Sequence, residues 1–184
     1  MKFSRLQIPE IIVCEPDYIK DKRGYFVENY RLDKLNSFLG YKINFCQENE
    51  TKSSFGVLRG LHFQQNPYGQ AKLIRVISGA VLDIVVDVRF GSPTFGKHIS
   101  IELSSKNKKQ IFIPRGFAHG FVVLSHEAVF LYKVDSYYNP ESERGLAFDD
   151  KELAIDWQIS KEKLIISEKD MCQPLFKDAE FYKV

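Results

Sequence analysis

Residues 72–89 read KLIRVISGAVLDIVVDVR, and this stretch decides the fold. Ser78-Gly79 divides it into two apolar runs, as the turn of a β-hairpin would. In the second run the side chains alternate in character: Leu82, Ile84, Val86 and Val88 take one face, and Asp83, Asp87 and Arg89 take the other. This period of two predicts an antiparallel strand with one buried face and one solvated face.

Further short apolar runs lie on both sides of this stretch, with turn residues between them. Each is predicted to be a strand: 11–14, 24–30, 43–49, 99–103, 110–114, 121–124 and 128–134. Helical patterns are weak, with about two turns predicted over 32–39 and one or two over 151–157. Short strands at regular spacing are typical of a sandwich or barrel. We therefore predict one all-β domain over 1–184, with a few short flanking helices and a docked C-terminal tail.

Composition and charge exclude several classes of protein. The 184 residues include 26 Lys and Arg against 24 Asp and Glu, a net charge of +2, which is too balanced for a nucleic-acid-binding surface. No apolar run approaches the roughly 18 residues of a membrane span. The N-terminal apolar stretch is interrupted by Glu10 and shows no small-residue cleavage site, so we expect no secretory signal. Three widely spaced cysteines without a C-x-x-C pattern predict free thiols in the cytoplasm.

The segment PRGFAHGF at 114–121 resembles the P-x-G-x-x-H element of the cupin barrel, a double-stranded jelly roll. In metal-binding cupins a second element supplies an H-x-H pair and a glutamate. The corresponding segment here is GLHFQ at 60–64, where Gln64 replaces the second histidine. His62 and His119 alone are too few ligands for zinc or iron, so we predict no metal. A metal-dependent cupin enzyme remains an alternative.

Arg59 and His62 lie three residues apart in an apolar frame. In a regular strand they would point to opposite faces, but a bulge at Gly60 would turn both into one cavity. The alternative for His62 is a hydrogen-bonded core histidine.

These segments belong to a longer series that resembles the dTDP-4-dehydrorhamnose 3,5-epimerase family. The matching blocks run in order across nearly the whole chain: DKRGYFVE at 21–28, QEN at 47–49, VLRGLHFQ at 57–64, QAKL at 70–73, DVR at 87–89, SPTFG at 92–96, IPRGFAHGF at 113–121, Tyr132, and SEKD at 167–170. One block alone would be weak, but the ordered set is specific.

The resemblance implies a cofactor-independent isomerase. The family inverts carbons 3 and 5 of dTDP-4-dehydro-6-deoxy-D-glucose, giving dTDP-4-dehydro-L-rhamnose for dTDP-rhamnose synthesis. Both carbons adjoin the ketone at carbon 4, which acidifies their hydrogens. By the resemblance His62 is the base, Asp170 orients it, Lys72 holds the enolate oxygen, and Tyr132 is the acid.

The resemblance also implies a set of binding residues. Tyr138 would stack on thymine, and Arg59, Arg23 and Lys169 would meet the diphosphate. Other ligand-contacting positions match Glu28, Gln47, Asn49, His119 and Glu143. The family is a homodimer in which N-terminal segments complete the partner's site, so Arg23, Phe26 and Glu28 would act across the interface.

Two further alternatives stay open. A relative that epimerises only carbon 3 or carbon 5, or acts on another nucleotide-4-keto-sugar, would keep the same base and acid. A non-catalytic cupin would bind the nucleotide-sugar without exchanging its hydrogens.

Overall fold

Alternating apolar residues build two β-sheets in the computed structural model, which describes residues 1–183. Val184, the last residue of the predicted domain, lies outside the described residues. The strands are β1 (Lys2–Arg5), β2 (Ile12–Glu15), β3 (Tyr18–Asp21), β4 (Gly24–Val27), β5 (Gln47–Ser54), β6 (Val57–Gln64), β7 (Lys72–Ser78), β8 (Ala80–Asp87), β9 (His98–Ser104), β10 (Gln110–Ile113), β11 (Phe117–Val123), β12 (Glu127–Val134), β13 (Glu143–Gly145) and β14 (Ile165–Ile166).

The first sheet has the strand order β1-β2-β10-β7-β12-β5, and the second has the order β13-β6-β11-β8-β9. The short β14 pairs with β6 in parallel, and β3 and β4 form a separate antiparallel hairpin. Two helices flank the sheets, α1 (Leu32–Leu39) and α2 (Glu168–Met171). Helix α1 spans the range predicted for it. Neither helix is long and apolar enough to cross a membrane.

Three apolar clusters hold these layers together. One contains Ile74 and Phe130 from the first sheet with Val85 and Phe121 from the second, so it fills the space between the sheets. A second covers the outer face of β6, β8 and β11 with the C-terminal segment. The third packs α1 on the outer face of β2, β7 and β10. The all-β, cupin-type jelly roll is confirmed, and the C-terminal tail docks as predicted.

The hairpin predicted at Ser78-Gly79 is wrong. Strand β7 pairs with β10 and β12 in the first sheet, whereas β8 pairs with β11 and β9 in the second. Gly79 has φ +78°, and a Cβ there would lie 2.1 Å from the Glu127 carbonyl oxygen. The chain thus turns a corner between sheets, and a turn signal alone does not distinguish a corner from a hairpin.

The solvated face predicted for β8 is also wrong. Asp83 and Asp87 are fully buried, because the C-terminal segment covers the Leu82 face while the polar face points between the sheets. Asp87 accepts hydrogen bonds from Arg89, Ser92 and Thr94. The polar residues of β8 are therefore interior groups, and hydrogen bonds satisfy the Asp87 carboxylate there.

Other differences are local. Residues 151–157 form turns instead of a helix, and Trp157 is buried there, with Nε1 donating to the Phe148 carbonyl at 2.8 Å. Strand β11 begins at Phe117, earlier than the strand predicted over 121–124, so His119 lies within it. Strand β5 begins at Gln47, later than predicted.

Candidate active site

A cavity of about 370 Å³ opens inside the barrel, with walls from β5, β7 and β12 of one sheet and β6 and β11 of the other. This volume falls within the range of small-molecule sites. Most of the predicted site residues line it: Arg59, His62, Lys72, His119, Tyr132, Tyr138, Glu143, Lys169 and Asp170. Residues far apart in the sequence therefore meet at one place.

The cavity has further lining residues that the sequence interpretation did not assign to the site: Thr51, Phe63, Gln64, Gln70, Phe121, Phe130 and Ser167. Thr51 follows Gln47 and Asn49 at a spacing of two on β5, so the period of a strand could have identified it. Phe121 and Phe130 stack with ring centroids 4.3 Å apart and form an apolar wall.

The bulge that the sequence allows at Gly60 is present. His119 pairs with His62 and Phe121 with Arg59, so β6 uses one residue more than β11 over the same distance. Gly60 has φ +114°, and a Cβ there would lie 2.5 Å from the Gly120 Cα. Only glycine fits this close approach, and the extra residue brings Arg59 and His62 to the same cavity.

His62 forms a hydrogen bond with Asp170 from the C-terminal segment. Nε2 of His62 lies 2.7 Å from Oδ1 of Asp170, whose side chain is almost fully buried at the first turn of α2. Although burial opposes ionisation, the bond from His62 helps to hold the pKa of Asp170 below its usual value. The carboxylate fixes the ring proton on Nε2, so Nδ1 is the free basic nitrogen. The His62 side chain is 26% exposed, so a ligand can reach it.

His119 forms a second pair, with Asp83 of β8, at 2.9 Å between Nε2 and Oδ2. Burial lowers the pKa of His119 and outweighs the opposing charge of Asp83, so the ring is neutral at pH 7. Asp83 was not predicted as a site residue. The signal in the sequence was its place among the alternating polar residues of β8. We predicted that these residues face solvent, whereas Asp83 is buried.

Lys72 stands at the start of β7 and provides a cation in the cavity wall. Burial lowers the pKa of Lys72 to about 8, against the opposing charges of Asp83 and Glu143. The ammonium therefore predominates at pH 7, and it can stabilise an oxyanion.

Tyr132 on β12 lies opposite Asn49 on β5. Burial raises the pKa of Tyr132, although the hydrogen bond with Asn49 and the charge of Arg59 oppose this shift. The phenol is therefore protonated at neutral pH and can donate a proton.

Glu143 links two residues that are predicted to hold the nucleotide, the aromatic Tyr138 and the basic Lys169. Its Oε2 accepts hydrogen bonds from the Tyr138 hydroxyl and from Nζ of Lys169, both at 2.5 Å. Its Oε1 lies 3.9 Å from Nδ1 of His62. The carboxylate thus stands between the imidazole and these exposed side chains.

The remaining predicted residues do not line the cavity of this chain. Gln47 donates to Asn49 at 2.7 Å, and both lie on the face of β5 that carries Thr51. The others belong to the β3–β4 hairpin and the residues after it. There Arg23 pairs with Asp21, Phe26 is 71% exposed, and Glu28 pairs with Lys34.

The donor set of the cavity does not form a metal site. Among residues 1–183, no group of three or more His, Cys, Asp or Glu side chains is arranged to hold an ion. The Nε2 atoms of His62 and His119 already bond to aspartates.

Comparisons with known proteins identify the family of this chain. The sequence profile of the family described as dTDP-4-dehydrorhamnose 3,5-epimerase matches residues 5–178. A Pseudomonas aeruginosa protein named dTDP-4-dehydrorhamnose 3,5-epimerase is 46% identical over 182 residues, 99% of each chain.

Solved structures of similar proteins indicate the same family. The dTDP-4-dehydrorhamnose 3,5-epimerase of Elizabethkingia anophelis superposes with a TM-score of 0.93 at 49% identity, covering 97% of both chains. The dTDP-6-deoxy-D-glucose-3,5-epimerase of Legionella pneumophila, solved in complex with dTDP-4-keto-L-rhamnose, gives a TM-score of 0.95 at 41% identity, covering 100% of this chain and 98% of that one. Similarity at this level over the whole length, together with the site geometry, places the chain in the dTDP-4-dehydrorhamnose 3,5-epimerase family of isomerases.

Proposed function

We propose that this enzyme inverts carbons 3 and 5 of dTDP-4-dehydro-6-deoxy-D-glucose, without a cofactor, to give dTDP-4-dehydro-L-rhamnose for dTDP-rhamnose biosynthesis. The observation that carries the proposal is one cavity that holds the His62–Asp170 pair, Lys72 and Tyr132 together. An enolate mechanism needs a base, an oxyanion partner and an acid, and these residues supply each.

Proton removal is assigned to Nδ1 of His62. The carbon–hydrogen bond next to the ketone breaks, its electron pair moves into the enolate, and the proton goes to the imidazole. Asp170 stabilises the imidazolium that forms, because its carboxylate already bonds to Nε2 at 2.7 Å. General-base assistance of this kind contributes roughly 10²–10⁴-fold to the rate.

The enolate oxygen is assigned to Lys72, whose ammonium lines the same cavity. Tyr132 then donates its phenolic proton to the carbon from the face opposite His62. The enolate returns to a ketone with the carbon inverted, and the phenolate is reprotonated from water. A second cycle at the other carbon completes the reaction.

Substrate binding is assigned to the cations and aromatic groups of the cavity mouth. Arg59 and Lys169 suit the diphosphate, and Tyr138, which is more than half exposed, offers a ring for thymine. Gln47, Asn49, His119 and Glu143 provide further polar contacts.

The assembly is proposed to be a homodimer in which Arg23, Phe26 and Glu28 complete the partner's site. The exposed apolar side chains of the β3–β4 hairpin, Ile19 and Phe26, support this, because each is 71% exposed in the single chain. We place the enzyme in the cytoplasm, since its three cysteines are free thiols.

The experiment is incubation with dTDP-4-keto-6-deoxyglucose in deuterated water, followed by mass spectrometry and NMR. We expect deuterium at both carbons and a doubly inverted product. The His62→Ala variant should lose exchange at both positions while keeping the thermal midpoint of the parent. Label at one carbon only in the wild-type enzyme would indicate a single-site epimerase, and binding without label would indicate a non-catalytic protein. Activity lost on chelation and restored by a metal would favour the metal-dependent alternative.

A further inference from the structure

We propose that Glu143 accepts the proton from His62 after each inversion and passes it to solvent, so that the base is regenerated while the sugar stays bound. This inference rests on the proposed function, because it concerns a site that performs two inversions on one substrate with one imidazole.

An enzyme that inverts two carbons must restore the protonation states of its base and its acid between the two inversions. A single inversion has no such requirement while the sugar is bound. After the first, His62 is an imidazolium and Tyr132 is a phenolate. The second inversion needs a neutral imidazole and a neutral phenol. One proton must therefore leave His62, and another must reach Tyr132, before the second carbon reacts.

The Nε2 side of His62 faces a buried carboxylate. Its partner Asp170 is 4% exposed, and the carboxylate of Asp170 also accepts hydrogen bonds from the Gly60 N–H at 3.4 Å and from the Ser167 hydroxyl. The mechanism places the abstracted proton on Nδ1, at the other side of the ring. Loss of the Nε2 proton to Asp170 would therefore leave Nδ1 protonated and unable to act as the base again.

The Nδ1 side does offer an exit. Oε1 of Glu143 lies 3.9 Å from Nδ1, so a shift of about 1 Å would bring the two atoms to hydrogen-bonding distance. The other oxygen of Glu143 is bonded to Tyr138 and Lys169, whose side chains are more than half exposed at the cavity mouth. The carboxylate therefore connects the imidazole with groups in contact with water.

Glu143 is also in the right charge state to accept a proton. Burial favours its neutral form, but the hydrogen bonds from Lys169 and Tyr138 outweigh burial and hold the pKa of Glu143 below its usual value. The group is thus a carboxylate at neutral pH, and it releases a captured proton readily.

The transfer balances. The Nδ1–H bond of the imidazolium breaks, and the proton joins Oε1 of Glu143, which leaves a neutral imidazole and a carboxylic acid. The acid then gives its proton to water at the mouth. Tyr132 takes a proton from water on the opposite wall, so no proton is gained or lost over the two steps.

The test is Glu143→Gln, compared with Glu141→Gln as a matched control. The side-chain amide introduced by Glu143→Gln keeps an oxygen that accepts from Tyr138 and Lys169, but it cannot take up a proton. Glu141 is exposed and does not line the cavity. Products are followed by rapid quench in deuterated water, with and without added imidazole or formate.

In Glu143→Gln we expect the second inversion to be slowed by about 10²-fold more than the first, the low end of a proton-transfer contribution. Singly inverted, singly labelled sugar should accumulate, and the small buffers should restore the second step. The Glu141→Gln variant should behave as wild type.

Two results would overturn the inference. One is doubly inverted product without accumulation of the intermediate. The other is an equal loss in both steps with a raised KM and no buffer rescue, which would reduce Glu143 to a binding group. Failure of the proposed function is a separate observation, since it requires the wild-type enzyme itself to label fewer than two carbons.

Discussion

His62 on β6 and His119 on β11 are directly paired across the two strands, and each bonds through Nε2 to a different buried aspartate. Asp170 reaches His62 from the C-terminal segment, whereas Asp83 reaches His119 from the neighbouring strand β8. The same residue type thus has two environments. His62 lies partly open to the cavity, and His119 is buried and kept neutral.

The Asp170→Asn variant should retain the fold and lose most of the activity. The amide can bond to the imidazole, but it supplies no charge to stabilise the imidazolium, and it can hold the wrong tautomer. We expect kcat to fall by at least about 10²-fold. Steady-state kinetics and the thermal midpoint are the measurements. A kcat within a few-fold of wild type would show that Asp170 has no part in proton removal.

The Tyr132→Phe variant should separate proton removal from proton return. Phenylalanine keeps the ring that packs near Phe130, at 5.9 Å between centroids, and removes the hydroxyl alone. Hydrogen exchange into the recovered substrate should persist while inverted product falls sharply. The measurement is the ratio of label in substrate to product formed. If exchange and product fall together, the hydroxyl is not the acid.

The pH dependence of activity should report Lys72. Because burial lowers the pKa of Lys72 to about 8, its ammonium is present below that pH and is lost as the pH rises through it. We expect kcat/KM to decline above about pH 8. Burial raises the pKa of Tyr132 above that of an ordinary phenol, so ionisation of Tyr132 does not cause this decline.

The Lys72→Met variant tests whether Lys72 causes this decline in kcat/KM. Loss of an oxyanion partner should cost about 2.7–4 kcal/mol in transition-state stabilisation. The remaining activity should show no decline at pH 8. A decline that survives in Lys72→Met would assign the titration to another group.

Gly60→Ala should damage both stability and activity, with Gly91→Ala as its control. Both glycines have positive φ, which costs an alanine about 1–2 kcal/mol. At Gly60 the new methyl also meets the Gly120 Cα at 2.5 Å, whereas at Gly91 nothing lies within 4 Å. Thermal unfolding should therefore show a clearly larger loss for Gly60→Ala. Equal losses would mean that the bulge has room to relax.

The sequence predicted the strands better than their pairing. Most strands were identified because alternation is a local property. Which strand lies beside β8 depends on contacts with distant segments, so the corner at Gly79 was mistaken for a hairpin. The burial of Asp83 was missed for the same reason, since the C-terminal segment that covers the opposite face is nearly a hundred residues away.

The candidate site was predicted mainly through the family resemblance. Position in the sequence alone does not bring Asp170 to His62, because 108 residues separate them. The bulge at Gly60 was an exception, since the requirement to turn Arg59 and His62 to one side could be derived from strand geometry. The role proposed for Arg23, Phe26 and Glu28 requires a second chain, so it needs an experiment on the assembly.

Subunit mixing provides that experiment. Arg23→Ala and His62→Ala should each be nearly inactive if the proposal holds, because the first would remove a charge from the partner's site and the second would remove the base. In a mixed dimer, one site receives His62 from one chain and Arg23 from the other, and it is intact. When the two variants mix at random, about half of the dimers contain one chain of each. Each of these mixed dimers has one intact site out of two, so roughly a quarter of wild-type activity should return. A mixture of His62→Ala with Asp170→Asn is the control, since both residues lie in one cavity and no mixed site is intact. If Arg23→Ala and His62→Ala fail to complement while the control also stays inactive, Arg23 does not act across the interface.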